Sequence, residues 1–328
     1  MMVNSFDEII KLTLPTPFVV GDVNVYIVKG DALTLIDAGI KTNEAWEAFQ
    51  FQLTEIGIAP KDIDQVVLTH HHPDHVGLLE WLPEDIPVYG HKYVRPWIEM
   101  DDKFFSSYDT FYKGLLTEFG VEGNFDQMLE RMKEPLRYSA NRLLTYEIEE
   151  GDSVPGLETW SIINTPGHAQ SHLSFYREED GILLSGDHVL ATISSNPLLE
   201  PALNPNVERP KPQLQYNDSL KKLLKIEISM AYTGHGPEVM KVHELVKRRL
   251  KRQHEKALQV AEMLQGRQLT TYTITKSLFP AVYQKELGLT LSETTAQLDY
   301  LLSLGIIEKR MDAKGIAYFT KQSGGEGA

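Results

Sequence analysis

The chain has no cysteine among its 328 residues. This excludes disulfides, thiolate zinc fingers, iron–sulfur clusters and cysteine nucleophiles together. Any metal must be held by His, Asp or Glu. Positive charge is scarce as well: 32 Lys and Arg stand against 46 Asp and Glu, a formal net charge of −14. That balance opposes broad non-specific binding to nucleic acid or to anionic membrane. No apolar run approaches the ~20 residues that span a bilayer. The first residues, MMVNSFDEII, lack the basic-then-apolar order of a secretory signal. A soluble, cytoplasmic protein that does not bind membrane is expected. Hydrophobic residues at 42% and charged residues at 24% are those of an ordinary globular chain. The length corresponds to about two domains.

The charge is unevenly spread. Residues 1–240 carry 18 basic and 37 acidic side chains, net −19, whereas residues 241–321 carry 14 and 8, net +6. The excess is local to 241–256, which hold 7 basic and 2 acidic side chains. Residues 322–328 read as a disordered tail.

Apolar patterning predicts strands at Ile9–Leu14, Val23–Val28, Leu33–Ile36, Gln65–Thr69, Val88–Tyr89, 143–148, 159–164, 172–176, 182–185 and Ile228–Thr233. Helices are predicted at 43–56, after Asp74 and around 217–226. Strands with helices between them favour two mixed sheets packed together, helices outside. Residues 93–138 stand apart as an insertion holding 10 of the chain's 30 aromatic residues. They read as two or three helices, broken near Gly120 and Gly123, around a small satellite core. A lid over a binding site, exposing some of Trp97, Phe104, Phe105, Tyr108, Phe111 and Tyr112, is compatible with that core.

Four segments carry the chemistry, each at the end of an expected strand. They are Thr69-His70-His71-His72-Pro73-Asp74-His75, Thr165-Pro166-Gly167-His168, Leu184-Ser185-Gly186-Asp187 and Thr233-Gly234-His235. His70 and His72, two apart on an extended loop, point to the same side. Crowding so much imidazole together without a cation is costly. The donors are nitrogen and oxygen only, a set that suits Zn²⁺ and also Fe, Mn or Co.

These segments, with Asp37 of Leu35-Ile36-Asp37-Ala38-Gly39, resemble the five motifs of the metallo-β-lactamase-fold hydrolase superfamily. The resemblance covers roughly residues 10–240, without the aromatic insertion. It implies an α/β (α+β) fold, a four-layer αβ/βα sandwich with the site at one edge, in a catalytic domain of residues 1–240. It implies one metal at His70, His72 and His168, a second at Asp74, His75 and His235, and Asp187 bridging them. Asp37 would support ligands from behind. His71, His172 and His188 are not carried over as ligands. Two divalent ions, first Zn²⁺ and otherwise Fe or Mn, would share a hydroxide nucleophile, with Asp74 and Asp187 as catalytic groups. His72 separates the chain from the flavo-diiron oxidoreductases of this fold, which resemble it but carry a carboxylate there. The persulfide dioxygenases keep the residue set and remain an alternative.

Beyond the last motif, the residues predict helices at 243–264, 273–278 and 291–304 and a hairpin at 305–310 and 315–320. With the basic linking helix, residues 241–321 resemble the winged-helix-like domain of the group typified by β-lactamase-like protein 2. Residues 291–302 have two acids and no Lys or Arg, which disfavours duplex DNA. Arg248, Arg249 and Arg252 on the basic helix are candidate contacts for an anion such as RNA or an acyl-coenzyme A.

The leading expectation is a binuclear hydrolase of a small ester, thioester or lactone. The alternative is an endoribonuclease or phosphodiesterase acting on single-stranded RNA. A non-catalytic binding module using the winged helix is a third reading. A homodimer is compatible with all three.

Overall fold

A computed structural model describes residues 8–322. Of the expected tail at 322–328, Gln322 is described, its amide donating to the Ile306 carbonyl at 2.9 Å, and 323–328 lie outside the described residues.

The first sheet has six strands in chain order: β1 (Glu8–Leu14), β2 (Val23–Lys29), β3 (Leu33–Ile36), β4 (Gln65–Val67), β5 (Val88–Gly90) and β6 (Tyr146–Glu147). β1, β2 and β3 are antiparallel neighbours, and β3 to β6 run parallel. The second sheet has β7 (Trp160–Asn164), β8 (Leu173–Arg177), β9 (Ile182–Leu184) and β10 (Met230–Tyr232), in the order β10-β9-β8-β7.

Alternation explains why the two sheets pack. In β2, Val23, Val25 and Ile27 face a core shared with α1 (Asn43–Glu55), through its Phe49 and Leu53. Tyr26 and Val28 point the other way, into the layer between the sheets. There they meet Trp160, Ile162, Leu173, Phe175 and Leu184 of the second sheet. Strands buried on both faces read as near-continuous apolar runs. The outer face of the second sheet is covered by α6 (Pro212–Leu223) and the first half of α7 (Val242–Met263), using Tyr216, Leu220, Val242 and Val246. This is the expected αβ/βα sandwich.

Boundaries moved where the sequence carried competing signals. The helix expected around 217–226 starts at Pro212, a residue pre-set for a first helical turn. The strand expected at 65–69 stops at Val67 because the chain turns there into the histidine loop, and the helix expected after Asp74 is the short α2 (Pro73–Val76). The strand expected at 143–148 shrinks to Tyr146–Glu147, both exposed at the sheet edge.

The insertion forms α3 (Arg95–Ile98), α4 (Asp102–Glu118) and α5 (Phe125–Lys133), with left-handed Gly120 and Gly123 in the break. Its satellite core is present. Trp97, Tyr108 and Tyr112 are buried, and Phe104, Phe105 and Phe111 are half-buried around them. None of the six candidate lid residues is exposed. Leu199 and Leu291, from elsewhere in the chain, complete this core.

The C-terminal part contains α8 (Thr271–Leu278), α9 (Leu287–Ser303), and a three-stranded sheet of β11 (Leu269–Thr270), β12 (Ile307–Met311) and β13 (Ala317–Lys321). Its core takes Ala257, Val260 and Leu264 from the second half of α7 and the residue that follows it. One helix therefore belongs to both bodies. Among the described residues, no helix is long and apolar enough to cross a membrane.

Phe175 is 1% exposed between the sheets. Phe175→Ala is expected to cost ~3–5 kcal/mol through lost transfer energy and a residual cavity. Urea unfolding checks this.

Candidate metal centre

Strand register assembles the site. In the parallel pair β3–β4, Ile36 faces Val67, so Asp37 and the Thr69–His75 loop leave the sheet side by side. In the parallel pair β9–β10, Leu184 faces Tyr232, which sets Gly186-Asp187 beside Gly234-His235. His168 follows β7 in the same sheet. The segments converge where the carboxyl ends of the strands meet, the usual place for sites in such sheets.

His70, His72 and His168 each offer a nitrogen, and these atoms lie within 4.8 Å of one another. Asp74, His75 and His235 do the same with an oxygen and two nitrogens. Asp187 stands between the groups. Its Oδ1 is 3.4 Å from His75 Nε2, and its Oδ2 is 3.5 Å from both His168 Nε2 and His235 Nε2. His235 Nε2 is 3.2 Å from Asp74 Oδ2. His72 is half-buried and the other six are buried.

Hydrogen bonds on the far side of each ring decide which nitrogen faces inward. His75 Nδ1–H donates to Asp37 Oδ2 at 2.8 Å, His168 Nδ1–H to the Asn196 carbonyl at 3.0 Å, and His235 Nδ1–H to the Asp22 carbonyl at 2.8 Å. A carbonyl or carboxylate only accepts, so Nδ1 holds the proton and Nε2 turns a lone pair inward. Thr69 Oγ1 donates to Asp37 Oδ2 at 2.7 Å and lies 2.9 Å from His70 Nδ1, which gives His70 the same tautomer. His70 Nε2 then lies 2.9 Å from His72 Nδ1.

Asp37 holds this frame. It has a left-handed backbone, φ 61°, unusual for a residue with a side chain. Its buried carboxylate accepts from the Thr69 amide at 2.7 Å, from the Thr69 hydroxyl and from His75.

The electrostatics suit a bound cation. Burial, then the neighbouring imidazoles, hold His70 and His72 well below the usual histidine range. Burial also works against charge on His75, but Asp187 and Asp37 outweigh it and raise its pKa. At Asp187, burial opposes ionisation, yet His235 and His75 hold the carboxyl well below its usual range. His75 Nε2, His168 Nε2 and Asp187 Oδ1 are buried without a hydrogen-bond partner. Such atoms are costly unless something binds them. A divalent cation with nitrogen and oxygen ligands fits this donor set.

Space is fixed by glycine. A Cβ on Gly234 would overlap Asp187 Oδ1 and lie 2.9 Å from His75 Cε1. One on Gly186 would lie 2.9 Å from His172 Nε2 and from Thr69.

Read from the sequence, His172 has a helper role at most, not a ligand's. In the fold its Nε2 accepts from the Asp187 amide at 3.1 Å and its Nδ1 is 2.8 Å from Thr165 Oγ1, so it aims the central carboxylate. Its place four residues after His168 was the available signal. Glu200 had none. This carboxylate is buried, accepts from the Gln170 amide at 3.2 Å and lies 4.0 Å from His71 Nε2. Burial pushes it up to about 8. His71 stacks on Trp97 with ring centroids 4.2 Å apart, so the insertion forms a packed wall beside the site.

Of the candidate anion contacts, Arg248 and Arg252 are exposed. Arg249 is a correction. It is 6% exposed and donates to the Leu190 carbonyl, because it lies on the helix stripe that packs on the catalytic body.

The sequence model of the metallo-β-lactamase superfamily matches residues 19–235. The probable metallo-hydrolase YqjP of Bacillus subtilis (strain 168) is 42% identical over 295 residues, 90% of this chain and 92% of that one. The crystal structure of the metallo-β-lactamase family protein TTHA1429 from Thermus thermophilus matches with a TM-score of 0.78 at 25% identity, over 96% of this chain and 98% of that one. A β-lactamase domain protein from Burkholderia ambifaria matches at 0.77 and 20% identity, over 96% and 92%. The chain belongs to the metallo-β-lactamase superfamily. Within it, the chain is a hydrolase.

Gly234→Ala is expected to lower metal affinity ~10–100-fold, since the added methyl displaces Asp187 rather than deleting it. Metal content after dialysis against buffered zinc, with circular dichroism as a fold control, measures this. Wild-type occupancy would contradict the packing argument.

Proposed function

We propose that the protein is a binuclear metal-dependent hydrolase of small esters, thioesters or lactones. The observation that carries this reading is Asp187, whose two oxygens lie 3.4–3.5 Å from histidines of both groups. His70, His72 and His168 would hold one divalent ion, Asp74, His75 and His235 the other, and Asp187 both. Zinc is the first candidate, with iron and manganese compatible with the same donors. Bound in such a pair, the ions supply a hydroxide nucleophile at neutral pH and Lewis acidity at the scissile carbonyl.

The chain's own groups do the rest. Asp37, Thr69, Asp22 and Asn196 hold His75, His70, His235 and His168 in one tautomer, so little reorganisation of these four is needed on binding. Asp74 uses Oδ2 toward His235. Its other oxygen is the candidate to orient the attacking water or take its proton. Trp97, stacked on His71, keeps water from one side. A small molecule in the cytoplasm is the proposed partner.

An RNA substrate has less support. Arg249 is committed to Leu190, and Lys256 pairs with Glu293 at 3.1 Å. Lys251 pairs with Glu255 at 3.7 Å, and Lys247, Arg248 and Arg252 are exposed beside it. A duplex-DNA reader would need α9 free, but Leu291, Ser292, Thr294, Thr295, Leu298 and Asp299 on it are buried.

The test joins metal analysis to a panel of esters, thioesters, lactones, phosphodiesters and single-stranded RNA. Two ions per chain and turnover of an acyl substrate are expected, with Asp187→Ala losing both. An active Asp187→Ala enzyme contradicts the reading. The double variant Arg248→Glu/Arg252→Glu should leave acyl turnover within about twofold. RNA cleavage that this variant abolishes, with a steep salt dependence, would replace the acyl reading with the ribonuclease one.

A further inference from the structure

The two donor groups are supported differently. In the Asp74–His75–His235 group, the outer hydrogen bonds end on Asp37 and Asp22, within the first-sheet body. His70 is backed by Thr69 of its own loop. His168 is the exception. Its Nδ1–H donates to the Asn196 carbonyl at 3.0 Å, and its own carbonyl accepts from the Leu198 amide at 3.3 Å. Both partners lie on residues 196–200, which have no helix or strand to hold them.

The C-terminal part helps to hold that segment, together with Tyr112 of the insertion, which donates to the Leu199 carbonyl, and Gln170, whose amide donates to Glu200. The Asn196 side-chain amide donates to the Leu289 carbonyl at 3.3 Å. The Leu199 amide donates to the Ser292 hydroxyl at 3.2 Å. Leu199 and Leu291 share one apolar core. Further along, Arg209 grips Asp299 through two hydrogen bonds of 2.7 Å each. Leu289, Leu291, Ser292 and Asp299 all belong to α9. The helix therefore presents a buried polar and apolar face to the segment that carries the partners of His168.

We infer that α9 is a clamp on one metal group: through Asn196 and Ser292 it fixes the orientation of His168, and so governs the His70–His72–His168 group but not the Asp74–His75–His235 group. Ser292 and Asn196 are positioning residues, acting on the site through the chain between them. This gives the C-terminal part a role in the chemistry that needs no nucleic acid, and it accounts for a helix without cationic side chains that is nonetheless wrapped on most sides. It rests on the binuclear reading above.

The experiment is a Zn²⁺ titration of metal-free protein in competition with a chromophoric chelator. Wild type is compared with Asn196→Ala/Ser292→Ala and with Ser292→Thr, which keeps the hydroxyl. The double variant is expected to weaken one of two binding constants ~10–100-fold and leave the other unchanged. Ser292→Thr should bind more like wild type than the double variant does. Thermal unfolding of the metal-free proteins should stay closely similar, which separates positioning from general damage. Two unchanged constants in the double variant overturn the clamp. So does a parallel fall in both constants with a lowered metal-free unfolding temperature. Wild type that binds fewer than two ions defeats the binuclear reading itself, a result distinguishable from either of these.

Discussion

One buried carboxylate organises the molecule. Asp187 must carry negative charge in a place that burial makes hostile to it, and it does so because histidines from both donor groups surround it. Delivering it there constrains chain far from the site. β9 and β10 must run parallel in the register Leu184 to Tyr232, so that Asp187 and His235 emerge as neighbours. Gly186 and Gly234 must lack side chains, because the space a Cβ would fill already holds His172, Thr69 or Asp187 itself. His172 must accept from the Asp187 amide. The sandwich is in this sense a device for bringing strand ends from two sheets to one point.

The ligand candidates were legible because their information is local. A run of four donors within six residues, and Gly-His or Gly-Asp pairs at the ends of apolar runs, mark chain turns that present polar side chains. The supporting groups were not legible, and the reason is physical. Asp22 and Asn196 act on His235 and His168 through backbone carbonyls, which every residue possesses. No side-chain signature can reveal such a contact. Glu200 is likewise defined by tertiary packing alone. Arg249 is a different case. Its helix buries Val242, Val246, Arg249, Gln253, Ala257 and Val260, a three-and-four spacing that places Arg249 on the packed stripe. Composition marked the helix as basic; periodicity separates its exposed cations from its buried one.

The strands follow the same division. β2 and β3 were legible because alternation assigns their side chains to two apolar layers. β6 was overextended because it sits at an edge, exposed, where pairing rather than burial sets its length. The two-residue β11 has no sequence signal, since it exists through its pairing with β13. The aromatic insertion and α9 were read as separate units, yet Tyr112, Phe119, Leu199 and Leu291 share one core. Composition located the insertion without showing what it would pack against.

The tautomers decide how the site meets a cation. Histidines left free would reach a metal with two usable nitrogens each and a choice of rotamers, and binding would have to select among them. Here four of the five candidate ligand imidazoles have Nδ1 engaged outward. The remaining imidazole, His72, is also the half-buried one, and its Nδ1 lies 2.9 Å from His70 Nε2. Two lone pairs do not share that distance without a proton or a cation between them. Folding therefore removes conformational choice at four of the five imidazoles, which favours the ion. The same logic sets the weak point. A ligand is only as fixed as the group behind it, and among these histidines only His168 leans on chain held by another body of the protein.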